Sequence, residues 1–206
     1  MKSRLFGFVL IGFVLATTHL AWAQTDVGLS AYGAFTGLGK TTGISTGFMN
    51  PASAMGGMLE VRHIHSPMIG FEASYAVNRA NQRYLALFPP VSPMPGNGEN
   101  SISAFAHEID GDWVFTDSVT KSLQIFTVVG AGVQITVPTG NSNNDSSSST
   151  AAYNLGVGLD WQKFEHFGLR VQYRGDIHKA PQFYSAPSSG SILYTSEPMV
   201  GVYYRF

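Results

Sequence analysis

The sequence predicts an all-β fold, an eight-stranded antiparallel up-and-down β-barrel that crosses a membrane. Three observations lead to this prediction: apolar and polar residues alternate with a period of two, the connections alternate in length, and charged residues are scarce. Only 12% of the 206 residues are charged, which is about half the usual fraction in soluble proteins. A hydrophobic content of 44% with 23 glycines argues against both disorder and a helical bundle.

The first segment, residues 1–23, is predicted to be a secretory signal peptide. Two basic residues precede the apolar run 5–15, and the small-residue sequence AWA closes the segment, which is the order of regions in a cleavable signal. The apolar run is shorter than the roughly 20 residues that a membrane-spanning helix needs. We therefore expect cleavage after Ala23 and a single barrel domain over residues 24–206.

Three strands follow from strict alternation. In residues 69–78 the odd positions are apolar, while Glu72, Ser74 and Asn78 share the even positions with Gly and Ala. Residues 153–161 and 167–174 repeat the pattern, which indicates strands with one apolar and one polar face. Five further strands are predicted at 26–35, 54–64, 102–115, 122–137 and 197–206.

The connections between these eight strands alternate between short and long. The short turns are 65–68, 116–121 and 162–166. The long loops are 36–53, 79–101, 138–152 and 177–196. In an up-and-down barrel every second connection lies at the same end, so all long loops should project from one end, as in outer-membrane barrels.

Charge placement predicts that the apolar face points outward. The four lysines after the signal, Lys40, Lys121, Lys163 and Lys179, fall in loops, turns or strand ends. The polar phase holds arginine, whose planar fork suits dry pairing with carboxylates. The predicted ion-pair network of the lumen comprises Glu60, Arg62, Glu72, Glu108, Asp110, Asp112, Asp160, Arg170, Arg174 and Arg205. Such a network could lock the barrel or line a narrow cation-preferring path, and structural locking is favoured.

Glycines on the polar phase make room in a small lumen. The positions concerned are Gly130, Gly132, Gly156 and Gly158. Aromatic residues near the predicted strand ends are interpreted as girdles at the two membrane interfaces, although aromatic residues also favour strands in general. The girdle residues are Trp113, Phe115, Trp161, Phe167 and Tyr173.

The signal peptide, the eight amphipathic strands and the closing sequence Tyr203-Tyr204-Arg205-Phe206 together resemble the small bacterial outer-membrane β-barrels, the opacity-like and OmpA/OmpX-type porin-fold proteins. The resemblance implies a location in the bacterial outer membrane, in contact with its lipid and lipopolysaccharide. It also implies that the barrel-assembly machinery reads Val202, Tyr204 and Phe206 of the last strand as an insertion signal.

Function is expected to be structural or adhesin-like, because side chains can fill the interior of an eight-stranded barrel. A net charge of −1 gives no basic surface for nucleic acid, and the absence of cysteine excludes thiol chemistry. We expect a monomer without catalysis, metal or cofactor, whose long loops could contact an external protein or surface ligand. The alternatives are a narrow pore for small solutes or ions and an enzyme acting on lipid A. Against the enzyme, alternation sends His107 and Glu108 to opposite faces.

Several smaller features leave alternatives open. His63 and His65 share one strand face, as a metal pair or as a polar rim. His107 falls on the apolar phase, which would suit a bulge or a position near the headgroups. The proline-rich loop 79–101 is either a lid over the barrel mouth or a contact surface. The run 141–150 is predicted to be a solvated tip.

Overall fold

The structure is a computed structural model that describes residues 24–41, 47–66, 68–86, 99–139, 146–183 and 190–206. The predicted signal peptide lies outside the described residues. Parts of all four long loops do as well, including residues 87–98 of the proline-rich loop and residues 141–145 of the predicted solvated tip. Within the described ranges, no helix is long and apolar enough to cross a membrane.

Twelve strands follow one another along the described chain. They are β1 (Gln24–Thr36), β2 (Gly39–Thr41), β3 (Gly47–Pro51), β4 (Ala54–Ser66), β5 (Ile69–Arg79), β6 (Gln82–Ala86), β7 (Glu99–Ile102), β8 (Ala104–Ser118), β9 (Leu123–Pro138), β10 (Ser148–Gln162), β11 (Phe167–Lys179) and β12 (Ile192–Arg205).

Eight of these strands close into a barrel in the order β1-β12-β11-β10-β9-β8-β5-β4. Every neighbouring pair is antiparallel, and β4 pairs with β1 to complete the ring. The predicted fold class, an eight-stranded antiparallel up-and-down barrel, is confirmed. The short turns and both termini of the barrel lie at one end, here called the turn end. The long connections lie at the other, here called the loop end.

The strands extend further toward the loop end than the sequence predicts. β10 begins five residues before the predicted start at position 153, β11 continues five residues past 174, and β12 begins five residues before 197. The predicted boundaries were wrong there because alternation weakens: Ser and Thr fill both phases of residues 148–150, and Gly175 interrupts the apolar phase of β11. Residues 148–150 of the predicted solvated tip therefore belong to a strand.

The remaining four strands form a second sheet, β2-β3-β6-β7, that sequence analysis did not predict. Each of them adjoins a barrel strand in the chain: β2 follows β1, β3 precedes β4, β6 follows β5, and β7 precedes β8. The order of the small sheet repeats the order of those barrel strands. It thus continues one half of the barrel wall beyond the loop end, and we call it the hood.

Alternation along each barrel strand separates an apolar exterior from a charged interior. On β11, for example, Leu169 and Val171 are exposed while Arg170 and Gln172 are buried. Among the described residues, 35 large hydrophobic side chains are exposed, far more than a soluble surface tolerates. An outer surface with this pattern contacts the hydrocarbon chains of lipids, so the barrel spans a membrane.

The glycines predicted on the polar phase do face inward, and each leaves room for a larger neighbour. A Cβ on Gly158 would overlap the ring of Phe126, and one on Gly156 would lie 2.8 Å from a methyl carbon of Val128. Phe126 and Val128 pack with Val114 in a small apolar cluster inside the turn end. The lumen is therefore filled by side chains rather than open.

The ladder between β1 and β12 has one gap. Pairing is continuous from Asp26 to Tyr32 and resumes at Phe35, but the residues opposite Glu197 and Pro198 are skipped. Proline has no N–H to donate, and it is accepted here because its other side still pairs with Tyr173 of β11. The closing seam of the barrel is therefore weakest at this point.

Gly132→Ala should prevent the barrel from closing. The added carbon would overlap the Asp110 carboxylate and the carbonyl oxygen of Ile109 on the adjacent strand, and backbone cannot move aside as a flexible side chain can. Overpacking costs about 1–3 kcal/mol even where neighbours shift. Migration of an unheated sample on a denaturing gel, compared with the boiled sample, measures the folded fraction.

Gly175→Ala is the matched control. Its added carbon would lie 3.8 Å from the carbonyl oxygen of Leu155, which is ordinary van der Waals contact. The control should fold like the unmodified protein. A heat-shifted band of normal intensity for Gly132→Ala would contradict the packing argument.

Candidate functional site: the charged lumen and its closed mouth

Arg170 is the centre of the ion-pair cluster nearer the turn end. Its Nε and one Nη donate to the two oxygens of Asp160 at 2.8 and 2.9 Å, a bidentate pair. The Nη2 that bonds Asp160 also donates to Asp26 at 3.1 Å, and Nη1 donates to Glu60 at 3.0 Å. All four side chains are buried. One guanidinium group thus donates hydrogen bonds to carboxylates from three other strands. The compact ammonium group of lysine lacks the planar, spread donors that this arrangement needs.

Arg62 extends the same cluster across the lumen. It donates to Glu72 at 2.7 Å on the adjacent strand β5 and to Asp160 at 3.2 Å on β10. Because β4 and β10 lie on opposite sides of the barrel, the second bond spans the interior. The guanidinium carbon of Arg62 lies 4.1 Å from the centre of the Phe126 ring, a cation–π contact. This layer blocks the lumen.

Arg174 forms a second cluster four residues closer to the loop end. It donates to Glu108 at 2.7 Å, to Glu197 at 3.1 Å and to Asp110 at 3.3 Å. Glu108 and Asp110 belong to β8, so these bonds also cross the interior from β11. Two guanidinium layers therefore close the same cavity at different depths.

The two remaining residues of the predicted network behave differently. Arg205 lies at the turn end, where it donates to Gln162 at 2.6 Å and approaches the Asp26 carboxylate at 3.5 Å. Asp112 is fully buried, yet neither of its oxygens accepts a hydrogen bond from the described residues. The structure thus places all ten predicted residues inside the barrel and joins nine of them in ion pairs.

Sequence analysis missed three carboxylates of the lumen, Asp26, Asp176 and Glu197. Asp26 and Glu197 stood at the first positions of predicted strands, and Asp176 lay just beyond one. Their side chains point inward because alternate residues of a strand face the same side. Glu197 lies an even number of residues from Arg205 on β12, and Asp176 lies two residues from Arg174 on β11. Continuing the alternation past the predicted ends would have found them.

Carboxyl groups outnumber basic groups in the described interior. Its buried ionisable groups are four arginines, one histidine and nine carboxylates. The carboxylates are Asp26, Glu60, Glu72, Glu108, Asp110, Asp112, Asp160, Asp176 and Glu197. The surplus concentrates toward the loop end, where Arg174 is shared among three carboxylates and His178 Nδ1 bonds only Asp176, at 2.7 Å.

Apolar side chains seal the mouth above this charge. We call them the mouth cluster: Met49, Ile102, Ala104, Ala180, Phe183 and Leu193. Met49 and Ile102 come from the hood, whereas Ala180 and Phe183 come from the connection after β11. In its described part, loop 79–101 contributes β6 and most of β7 to the hood, while residues 87–98, which carry its prolines, lie outside the described residues.

The predicted girdle residues all point outward. Phe71 and Trp113 meet edge to face at 6.1 Å between ring centres, and Phe115, Trp161 and Phe167 lie near the turn end. The position predicted for Tyr173, in a girdle at a strand end, is wrong. Because β11 continues to Lys179, Tyr173 lies in mid-strand, where its hydroxyl donates to Ser196 Oγ at 2.9 Å.

The terminal strand presents an outward aromatic edge. Val202, Tyr204 and Phe206 are exposed on the apolar face. Tyr204 packs edge to face with both Phe167 and Phe206, each at 5.0 Å between ring centres. The Phe206 N–H donates to the carbonyl oxygen of Thr25 at 2.9 Å, which ties the chain end to β1.

Two of the three histidines singled out in the sequence hydrogen-bond to hydroxyl groups on neighbouring strands. His63 Nδ1 pairs with the Thr25 hydroxyl at 2.9 Å, and His107 Nδ1 pairs with the Tyr75 hydroxyl at 2.8 Å on the outer face. The register through His107 is continuous, so the bulge considered for it is absent. Among the residues with described positions, no three His, Asp or Glu side chains are placed to hold a metal ion.

Comparison with known proteins identifies the fold. Neisserial surface protein A aligns with a TM-score of 0.59 at 11% identity over 88% of this chain and 97% of its own. The outer membrane protein OprG from Pseudomonas aeruginosa gives 0.59 at 13% identity over 89% and 96%. Ail, the attachment invasion locus protein of Yersinia pestis, gives 0.54 at 15% identity over 89% and 99%.

These likenesses show that the chain has the fold of small bacterial outer-membrane β-barrels, as the sequence resemblance implied. The predicted outer-membrane location agrees with them. No family profile and no curated protein sequence matches the chain.

Arg174→Met should lower the free energy of unfolding by about 3–5 kcal/mol, the usual loss when one partner of a buried ion pair is removed. The change keeps the length of the side chain but leaves Glu108, Asp110 and Glu197 without their shared cation. Urea unfolding of the refolded protein in detergent micelles measures the difference.

Arg79→Met is the control for this substitution, since Arg79 is exposed at the end of β5. It should leave the urea midpoint within experimental error of the unmodified protein. Equal midpoints for the two variants would show that the Arg174 cluster does not stabilise the barrel.

Proposed function

We propose that this protein is a monomeric, non-catalytic outer-membrane protein whose function is carried by its loop-end surface, in an adhesin-like role. The observation that carries the proposal is the combination of a lumen closed by cross-barrel ion pairs with a wall that continues beyond the mouth. Side chains of Arg62 and Arg174 bridge opposite or distant strands, so the interior offers no open path for a solute. The hood is the sheet that the molecule adds to the eight-stranded barrel.

The names of two proteins with the same fold support this role. One is an attachment invasion locus protein and another is a neisserial surface protein. The structure of the former includes a heparin analogue. Here the exposed cations described near the loop end are few, Arg79, Arg83 and Lys179, so we propose recognition through hydrogen bonds and apolar contacts rather than through a polyanion.

A non-catalytic role also fits the positions of the residues that suggested lipid A chemistry. His107 bonds Tyr75 on the outer face, whereas Glu108 bonds Arg174 inside the barrel. The two side chains therefore cannot cooperate at one reacting atom. The alternative with a physical basis is a narrow pore that prefers cations, because carboxyl groups outnumber basic groups in the described interior.

Planar-bilayer recording separates the two roles. The unmodified protein should insert without steady conductance, since two guanidinium layers and the mouth cluster close the lumen. A steady current through the unmodified protein would favour the pore.

Adhesion of whole cells tests the surface role. A non-adherent bacterial host displaying the protein should be retained several-fold better than the empty host on polystyrene wells. Replacing residues 39–51 by a two-glycine linker removes half of the hood and should abolish the gain. Deleting residues 141–145, in the connection between β9 and β10, is the control. Equal retention of displaying and empty hosts would refute the proposal.

Deleting Phe206 tests the assembly signal. We propose that the outward row Val202, Tyr204 and Phe206 is what the barrel-assembly machinery recognises, and its exposure on the apolar face supports this. The deletion should reduce the folded, membrane-inserted yield several-fold in cells. Refolding of the purified variant into detergent should succeed, which separates recognition from stability. A normal cellular yield would contradict the assignment.

A further inference from the structure

A small enclosed cavity lies at the loop end, between the hood and the barrel. Its volume is about 20 Å³, enough for one body of the size of a water molecule, which needs roughly 10–15 Å³. The hood contributes Gln82, and the barrel contributes Asp176, His178 and Glu197. Leu193 belongs both to the lining and to the mouth cluster, so the cavity lies directly beneath the apolar seal.

Two buried oxygens that line this cavity accept no hydrogen bond from the described residues. They are Oδ1 of Asp176 and Oε1 of Gln82, and the two side chains are 1% and 4% exposed. The second polar atom of each group has a hydrogen-bond partner: Asp176 Oδ2 bonds His178, and Gln82 Nε2 donates to the Ala80 carbonyl at 3.2 Å. Because an unpaired buried acceptor is costly, both oxygens call for a donor inside the cavity.

Several other polar groups of the lining are already paired. Thr36 and Thr195 bond each other at 2.9 Å, and the Asn78 amide donates to the Tyr32 hydroxyl at 3.0 Å. Glu197 has one oxygen bonded to Arg174 at 3.1 Å. The unpaired acceptors of the lining are therefore the oxygens of Asp176 and Gln82.

Charge decides between a neutral water and a cation. Asp176 and Glu197 line the cavity, and Glu108 and Asp110 lie in the cluster below them, while the cations on this level are Arg174 and, when protonated, His178. A buried carboxylate without a counter-charge is strongly disfavoured. A monovalent cation of the size of water offsets the charge of an ionised carboxylate, which a water molecule cannot do.

We propose that this cavity binds one small monovalent cation, with ammonium as the matching chemistry. Ammonium has the size of water and only donates hydrogen bonds, and the site offers only acceptors at its unpaired positions. A divalent metal fits less well, because among the described side chains no three carboxylate or imidazole groups converge. The inference concerns ion binding beneath the seal and does not depend on the proposed adhesin-like role.

Urea unfolding in two salts of equal ionic strength tests the site. The protein refolded in detergent is compared in ammonium chloride and in tetramethylammonium chloride, whose cation is too large for the cavity. At a concentration about ten times the dissociation constant, ammonium should lower the unfolding equilibrium constant roughly tenfold. The gain should saturate as the ammonium concentration rises.

Two variants localise the effect. Asp176→Asn removes the charge but keeps the shape of the side chain, and Gln82→Leu removes the unpaired oxygen. Both should lose the difference between the two salts. Gln82 lies in the hood, outside the barrel ladders, so its variant keeps the test valid if Asp176→Asn does not fold. Asp117→Asn, an exposed carboxylate near the turn end, should keep the full effect.

A nuclear magnetic resonance experiment with ¹⁵N-labelled ammonium gives a second readout. Bound ammonium protons should exchange slowly with water and show contacts to the His178 ring in the unmodified protein only. Identical unfolding in the two salts, without a protected ammonium signal, would show that the cavity holds a water molecule and would overturn the proposal. So would a salt effect that survives in both variants.

Discussion

Pairing of buried charge inside an apolar wall is the interaction on which the rest of the structure depends. Hydrocarbon on the outer face leaves the interior as the only place for ionised side chains. Inside, each guanidinium must serve several carboxylates at once, as Arg170 does for Asp160, Glu60 and Asp26. Arginine is the side chain whose donor geometry allows this, and glycines such as Gly158 give the large side chains space.

The distribution of this charge along the barrel axis is uneven. Near the turn end, Arg62, Arg170 and Arg205 face four carboxylates, and their contacts link all of them. Toward the loop end a single arginine, Arg174, serves three carboxylates, while Asp176 has only His178. The first cluster is nearly neutral and acts as a lock. The second has more carboxyl groups than basic groups just below the mouth.

The sequence allowed prediction of the fold and of most lumen residues because both follow from alternation. Ten charged residues could be assigned to the interior from alternation together with the placement of lysine and arginine, and each is buried in the structure. The missed carboxylates lay at the ends of predicted strands or just beyond them. Asp176 follows Gly175, and neither phase is apolar in the first residues of β10, so the strands seemed to stop early. The hood was missed for a different reason: strands of three to five residues contain too few alternations to show a period.

Contacts that depend on closure of the barrel were also beyond sequence reasoning. Nothing in the local sequence of Phe126 indicates that its ring supports Arg62 of β4, because β9 and β4 meet only through the lumen. Likewise, the mouth cluster joins Met49 of the hood to Phe183 from the far side. One half of the wall is extended by four strands, and the other half contributes a connection that folds against them. Each half alone would leave its apolar side chains exposed to water, so the hood and that connection stabilise each other. The seal separates the charged interior from the outer surface, which lets the loop end change its contacts outside without exposing the ion pairs within.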